Sequence, residues 1–358
     1  MRFAAGVPDS TLREFCWVIA EHPEIDHVTA ACEGGALALT LGHWIATGRP
    51  GCAYMQNSGL PNALNPIMAL AGPDAYDIPF IMIIGWRAAP GIADEPQHRG
   101  IGREIVRLLE LADIDTLAVE ADGSAQVRSF LSGESSTRRR KALLVSPSLT
   151  TGGSRRAPAR DEADDMDKNT VLQILVDAAG PSEVFVTGIG HTGREMLALR
   201  LARGEDPFRD LAAVGGMGFA PQIAAGIAMS DPSRRVFCLD GDGSFLMHAG
   251  NHALVSGRKD LKLTHIVLDN GCHASVGGHP TIGPVDFAAL GSGLGYPIVR
   301  KAKNPSALHD ALAAIANTDG AGLIHVPVRT DVPGGLPRPD RSLPAGLAAF
   351  RRVAGYDG

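Results

Sequence analysis

What the sequence lacks narrows its function first. No segment forms a basic stripe and the net charge is −6, so nucleic acid is not expected as a partner. The longest apolar run, 78–86, is too short to cross a bilayer. The N-terminus has no charged segment followed by an apolar one, so no secretory signal is expected. The five cysteines, Cys16, Cys32, Cys52, Cys238 and Cys272, are odd in number and scattered, with no C-x-x-C pair. This argues against a disulfide framework and against structural zinc, and for a reducing, cytoplasmic setting. What is present is an ordinary globular composition, 45% hydrophobic and 20% charged, with 43 glycines gathered at the expected strand ends.

The 358 residues are comfortable for two domains. In the first part, apolar runs at 27–31, 51–55, 81–84, 116–119 and 142–145 read as strands. Helical patterns separate them: one face with Leu12, Phe15, Cys16, Val18 and Ile19, then 36–46, a helix with Leu64, Ile67, Met68 and Leu70, then 105–111 and 126–131. A long polar loop is expected from 88 to 102. This alternation predicts an α/β fold with a doubly wound parallel sheet. Between 148 and 167 Pro, Ser, Thr, Gly, Arg and Asp dominate and no apolar period survives, so this stretch reads as a linker. The second part repeats the element order, with helices at 171–179, 192–202, 220–229 and 307–316 and strands at 184–186, 235–239, 264–268 and 322–326.

The chemistry concentrates around Asp240-Gly241-Asp242-Gly243-Ser244. It follows one strand and precedes a helix expected over 245–254. A second strand runs straight into Asp269-Asn270-Gly271. Two parallel strands joined by a helix bring both ends to one sheet edge, where open α/β sheets bind ligands. Asp242 and Asn270 are hard oxygen donors suited to Mg²⁺ with phosphate oxygens. Gly243 allows a phosphate to approach, and Ser244 offers N–H and O–H donors. A calcium loop is excluded, because its sixth and twelfth positions would be Phe245 and Asn251. Gly188-Ile189-Gly190-His191-Thr192-Gly193 formally fits a dinucleotide fingerprint, but it does not follow the first strand and leaves the Asp242–Asn270 pair unexplained.

G-D-G followed 25 residues later by Asp-Asn resembles the thiamin diphosphate signature of decarboxylases and carboligases. The first Asn of the usual pair is Asp269 here, and the second is kept as Asn270. More segments resemble the phosphonopyruvate decarboxylases within that group: GVPDS (6–10), EGGALAL (33–39), YMQNSGLPNALNP (54–66), GWR (85–87), DEPQH (94–98), GGMG (215–218), LDGDGSFLMHAG (239–250) and DNGCHASVGGHPT (269–281). They span nearly the whole chain.

The resemblance implies two domains of the thiamin diphosphate-binding fold: a pyrimidine-binding domain at 1–147 and, after the 148–167 linker, a diphosphate-binding domain at 168–358. It implies thiamin diphosphate and Mg²⁺ as cofactors. Asp242, Asn270 and the Cys272 carbonyl would hold the metal. Glu33 would hydrogen-bond the cofactor pyrimidine, and burial beside that ring would raise its pKa. Met217 would prop the cofactor in its bent form, with Gly215 offering a carbonyl. Thr187, Gly188, His191, Gly243, Ser244 and Ser275 would line the cofactor. His98, Gln97 and His273 join Glu33 as the catalytic candidates, and Arg87, Ser275 and His279 are further candidates to meet an anionic substrate. The implied reaction is decarboxylation of 3-phosphonopyruvate to phosphonoacetaldehyde and CO₂, as in phosphonate biosynthesis. Sulfopyruvate decarboxylation and carboligation stay open. The partner is a small 2-oxo acid, and a homo-oligomer, at least a dimer with shared active sites, is expected.

Overall fold

The computed structural model describes residues 1–133, 139–149, 165–188, 190–330, 334–340 and 342–356. They fall into two compact units. The first holds the described residues up to 149 together with Ser275–Ile282, and the second holds 165–274 and 283–356. Most of the expected linker, 150–164, lies outside the described residues.

The first unit alternates β1 (Phe3–Gly6), α1 (Arg13–Glu21), β2 (Asp26–Thr29), α2 (Glu33–Thr47), β3 (Cys52–Gln56), α3 (Leu60–Ala69), β4 (Phe80–Gly85), α4 (Pro96–Leu111), β5 (Asp115–Ala118), α5 (Ser124–Ser132) and β6 (Arg140–Val145). The strands form one sheet, ordered β2-β1-β3-β4-β6-β5, with every pair parallel. Cys32 caps α2 by accepting a hydrogen bond from the Gly35 N–H, and Gly48 ends the helix in the left-handed conformation. Leu37 and Leu41 of α2, Ile67 of α3 and Ile105 and Leu109 of α4 are buried in one core with Met55, Met82 and Ile84 of the sheet. Leu12, Cys16 and Ile19 are buried on the opposite side with Tyr54 and Cys52.

Three expectations change here. Val18 is exposed although α1 buries Cys16 and Ile19, because at 100° per residue it points away from their stripe. Met68 and Leu70 are likewise exposed while Ile67 is buried. The polar loop after β4 ends early: α4 begins at Pro96, which fits a first helical position. Gly100 and Gly102 mask this start in the sequence.

The second unit contains α6 (Lys168–Ala178), β7 (Val184–Thr187), α7 (His191–Ala202), β8 (Asp210–Ala212), α8 (Ala220–Ser230), β9 (Val236–Gly241), α9 (Asp242–Met247) and β10 (Leu263–Asp269). Two-residue strands follow, β11 (Cys272–His273) here and β12 (His279–Pro280) in the segment that packs with the first unit. Then come α10 (Phe287–Gly293), β13 (Ile298–Lys301), α11 (Pro305–Ala316), β14 (Gly322–Pro327) and α12 (Leu343–Val353). The second six-stranded sheet is ordered β13-β14-β10-β9-β7-β8, again with every pair parallel. All seven residues of β10 are buried, as expected of a strand covered on both faces.

The helix expected over 245–254 instead starts at Asp242 and stops at Met247, and a 3-10 stretch, Ala249–Gly257, continues the chain. The His252 ring nitrogen lies 3.0 Å from the Phe245 carbonyl, taking the acceptor that a continuing helix would use. The central strand β1 and the edge strands β8 and β13 are not among the expected strands. All three are short, and β13 carries Arg300 and Lys301, so none shows a long apolar run. Among the described residues no helix is long and apolar enough to cross a membrane.

At Gly6 an added Cβ would lie 2.3 Å from the Tyr54 carbonyl, whereas at the exposed Gly42 of α2 it would meet nothing within 4 Å. Gly6→Ala is therefore expected to lower stability by about 1–3 kcal/mol. Gly42→Ala is expected to raise it by about 0.5–1 kcal/mol. Urea midpoints of the two variants check both.

Candidate active site

The second unit gathers its polar residues where β8, β7, β9 and β10 end. These are neighbouring parallel strands, so their carboxyl ends share one edge. Thr187 closes β7 and Gly188 follows, its N–H donating to the Leu239 carbonyl at 2.7 Å. His191 opens α7, where backbone N–H groups suit an anion. Burial, aided by Lys168 and Arg194, lowers the His191 pKa. Gly215 and Met217 lie in the turn after β8, with Met217 half-buried. The Gly218 N–H donates to the Ser244 hydroxyl at 3.0 Å, tying that turn to the start of α9. Gly243 is the second residue of α9.

Gly241 pairs with Leu268 in the β9–β10 register. Asp242 thus leaves β9, and Asn270 leaves β10, at nearly the same level. Asp242 is buried. The Asn270 side-chain oxygen accepts from the Cys272 N–H at 3.1 Å. Burial, then Asp242, pushes the Cys272 thiol up to about 11. The sulfur is therefore a neutral thiol at pH 7, and Cys272 can offer a carbonyl rather than a thiolate. His273 follows, half-buried, in β11.

In the first unit Glu33 is the first residue of α2, four residues beyond the end of β2 rather than at a strand end, and is 5% exposed. Its Oε2 accepts from the Asn62 amide at 2.8 Å. A Cβ at Gly59 would fall 2.2 Å from its Oε1, so the carboxyl fills a notch that only glycine leaves. Burial raises the Glu33 pKa, with the Asn62 hydrogen bond opposing. Asn62 and Gly59 went unassigned in the sequence reading, although both lie in the YMQNSGLPNALNP segment.

A second polar cluster stands at the ends of β1, β3 and β4. Asp9 is buried, accepting from the Gln56 amide at 2.6 Å and the Thr11 N–H at 3.1 Å. Burial raises its pKa against those bonds and Arg87. Arg87 donates to Asp94 from both Nε and Nη2, and to the Ser10 hydroxyl at 3.3 Å. Its charge is thus compensated. Burial alone would raise the Asp94 carboxyl, but Arg87 and the Ala88 N–H outweigh it and hold the pKa below the ordinary range. His98 sits in the first turn of α4, not on a loop, beside the half-buried Gln97. Burial and Arg87 lower its pKa, so the ring is neutral at pH 7, and its buried Nδ1 has no hydrogen-bond partner. Ser275 is exposed. His279 is buried, with Nε2 donating to the Arg13 carbonyl at 3.1 Å and its ring 4.1 Å from that of Trp17. Its donor nitrogen is thereby spent on holding its own segment.

Residues 1–105 match the thiamine pyrophosphate enzyme N-terminal TPP binding domain, and residues 188–326 match the C-terminal TPP binding domain. A phosphonopyruvate decarboxylase of Streptomyces viridochromogenes is 34% identical over 354 residues, covering 94% of this chain and 87% of that protein. The chain belongs to the phosphonopyruvate decarboxylase family of thiamine pyrophosphate enzymes. Subunit beta of sulfopyruvate decarboxylase from Methanothermobacter thermautotrophicus is 34% identical over 155 residues, 42% of this chain and 78% of that subunit. Subunit alpha from the same organism is 34% identical over 112 residues, 30% of this chain and 66% of that subunit.

Membership of this family makes thiamin diphosphate, the same compound as thiamine pyrophosphate, the cofactor and decarboxylation the reaction. The second unit fits its diphosphate. The Thr187 hydroxyl is buried without a hydrogen-bond partner beside Gly188, as a phosphate-facing donor would be. Among the described residues no group of three His, Cys, Asp or Glu side chains could hold a metal ion; the Asp242 carboxylate, the Asn270 amide oxygen and the Cys272 carbonyl are oxygen donors of the kind that suits Mg²⁺.

Glu33 supplies a pH test of the first unit. Its folded pKa is raised above the usual 4.5, so the folded chain binds that proton more tightly than the unfolded chain does. The side chain therefore costs stability as pH rises from about 4.5 through the folded value. Glu33→Gln is expected to raise the Tm of cofactor-free protein at pH 8 and to leave it unchanged at pH 4, as read by scanning calorimetry.

Proposed function

We propose that this chain decarboxylates 3-phosphonopyruvate to phosphonoacetaldehyde and CO₂, using thiamin diphosphate held through Mg²⁺. The observation that carries the substrate is the likeness to a phosphonopyruvate decarboxylase over 94% of the chain. Bound thiamin diphosphate supplies an electron sink for the pair left when the C–C bond to the carboxylate breaks. The chain's own residues divide the remaining work. Asp242, Asn270 and the Cys272 carbonyl hold the metal. Thr187, Gly188, His191, Gly243 and Ser244 meet the diphosphate, and Gly215 and Met217 shape the cleft for the ring system. Residues 1–147 act as the pyrimidine-binding domain and 168–358 as the diphosphate-binding domain.

Glu33 holds a proton at the pyrimidine. Its pKa, raised by burial, suits a group that shares a proton rather than giving it up outright. After CO₂ departs, a proton must reach the former carboxyl-bearing carbon. The neutral His98 and the half-buried His273 are the assigned shuttles, with Gln97 and Ser275 as polar contacts to the substrate. Arg87 is locked by Asp94, so it orients Ser10 and the loop rather than adding surplus charge for the phosphonate. The active unit is a homodimer, with the pyrimidine half of each site from one subunit and the diphosphate half from the other.

A second reading, sulfopyruvate decarboxylation, is favoured by the matches to both subunits of that enzyme. The substrates differ mainly in charge, a phosphonate approaching two negative charges and a sulfonate one. Cofactor-free protein mixed with Mg²⁺, thiamin diphosphate and each oxo acid decides between them. CO₂ and phosphonoacetaldehyde from phosphonopyruvate are the expected products; turnover of sulfopyruvate alone supports the second reading.

Two variants test the roles. Asp242→Ala is expected to abolish cofactor retention. Glu33→Gln is expected to bind cofactor yet slow hydrogen–deuterium exchange at the thiazolium C2 by about 10²–10⁴-fold. Mixing the two inactive variants is expected to restore partial activity, because some reassembled sites draw both halves from undamaged domains. No recovery in verified mixed dimers would exclude the shared site.

A further inference from the structure

Behind the two proposed metal-donor turns of the second unit stand two buried carboxylates to which no part of the proposed chemistry assigns a role. Asp240, 1% exposed, precedes Asp242 by two residues, and Asp269, 6% exposed, precedes Asn270. Each places Oδ1 on a nearby backbone N–H, Asp240 on that of Gly241 and Asp269 on that of Gly271, both at 3.1 Å. Only Asp269 closes the turn that follows its strand. Its other oxygen is hydrogen-bonded to an imidazole, Oδ2 lying 2.9 Å from His325 Nε2, whereas Asp240 Oδ2 lies 3.5 Å from His265 Nε2 and neither atom has a hydrogen-bond partner.

The strand register shows the same arrangement twice. Asp240 of β9 is opposite Val267 of β10, and His265 is two residues before Val267. Asp269 of β10 is opposite Pro327 of β14, and His325 is two residues before Pro327. Residues two apart on a strand share a face, so each imidazole reaches its carboxylate along a diagonal of the same offset and direction. The His265 ring is held in turn by the Tyr296 hydroxyl at 2.7 Å, and the His325 ring lies 5.3 Å from that of Phe287.

A core does not need these pairs for stability. Apolar side chains of similar volume serve as well or better than buried charge pairs. The placement of Asp269–His325 immediately before the turn that carries Asn270 points to that turn. Groups that orient metal ligands from behind commonly alter affinity when removed.

We propose that Asp269–His325 is a positioning device for the turn that carries Asn270. The carboxylate shapes that turn with one oxygen while the imidazole on the next strand fixes the other. The device sets how tightly Asn270, together with Asp242, captures Mg²⁺, and it does not touch the reacting atoms. The proposal rests on the assignment of Asp242 and Asn270 as metal donors.

The test is titration of the cofactor-free protein with Mg²⁺ at saturating thiamin diphosphate, read by calorimetry, alongside the Tm without ligands. Asp269→Ala is expected to weaken Mg²⁺ binding by about 10–100-fold. Asp269→Asn keeps the capping oxygen and offers an amide to the His325 ring, and is expected to recover most of the affinity. Because Asp269→Ala could fail to fold, the pair Asp269→Leu with His325→Phe removes the device without leaving a charge unpaired. It is expected to keep the ligand-free Tm near that of the parent and to show the same loss of Mg²⁺ affinity. Parental Mg²⁺ affinity in the folded double variant overturns the proposal. Asn270→Ala separates the two levels: if it binds Mg²⁺ like the parent, the metal assignment itself is wrong. If it loses binding while the Asp269 and His325 variants keep it, only the positioning device is wrong.

Discussion

The constraint on which each unit depends is that all six strands of its sheet run in one direction. A parallel strand cannot return by a tight turn, so a helix must cross the sheet between strands, and the crossings cover both faces. The interior of the sheet then accepts little but apolar side chains. Polar chemistry gathers at the edge where the strands end and their backbone turns outward, with His265 of β10 and His325 of β14 buried within the strands behind it. In the first unit that edge carries Asp9, Gln56 and Arg87, with Glu33 just beyond β2. In the second it carries Thr187, Asp240, Asp242, Asp269 and Asn270.

Burying carboxylates at such an edge is costly, and each is handled by its surroundings. Glu33 is pushed upward by burial against a single neutral amide donor, so it binds a proton more tightly than a free carboxyl does. Asp94 receives a guanidinium and is held downward, so it stays ionised. Asp9 has neutral donors and a more distant charge and again moves upward. Residue type alone does not separate a carboxyl pushed upward from one held downward here; the balance of burial against its donors does.

Space is assigned by a second recurring rule. A Cβ at Gly59 would strike Glu33, one at Gly85 would come within 1.9 Å of Asp9, and one at Gly188 would lie 3.3 Å from Asp240. In each case a glycine on a neighbouring segment leaves the room that a carboxylate fills. These three glycines can thus be read as counterparts of acids elsewhere in the sequence, beyond any turn they make.

The sequence by itself determined the α/β alternation, the parallel sheets and the motif residues at the strand ends. Those features are local: an apolar run, a glycine-rich turn and a helix start are each written within a few neighbouring residues. The start of α4 was hidden by its glycines, and the break in α9 depended on a side chain seven residues away, so neither was legible. Strands β8 and β13 escaped because short edge strands lack an apolar run. Only the tertiary structure decided which groups meet. Asn62 reaches Glu33 across 29 residues, and His325 reaches Asp269 across 56. The pairing of Arg87 with Asp94, and the burial of His279 against Trp17 and Arg13, likewise follow from the fold and not from residue type. Such pairings follow from strand order and register, which are set by the packing of the whole sheet rather than by any stretch of chain.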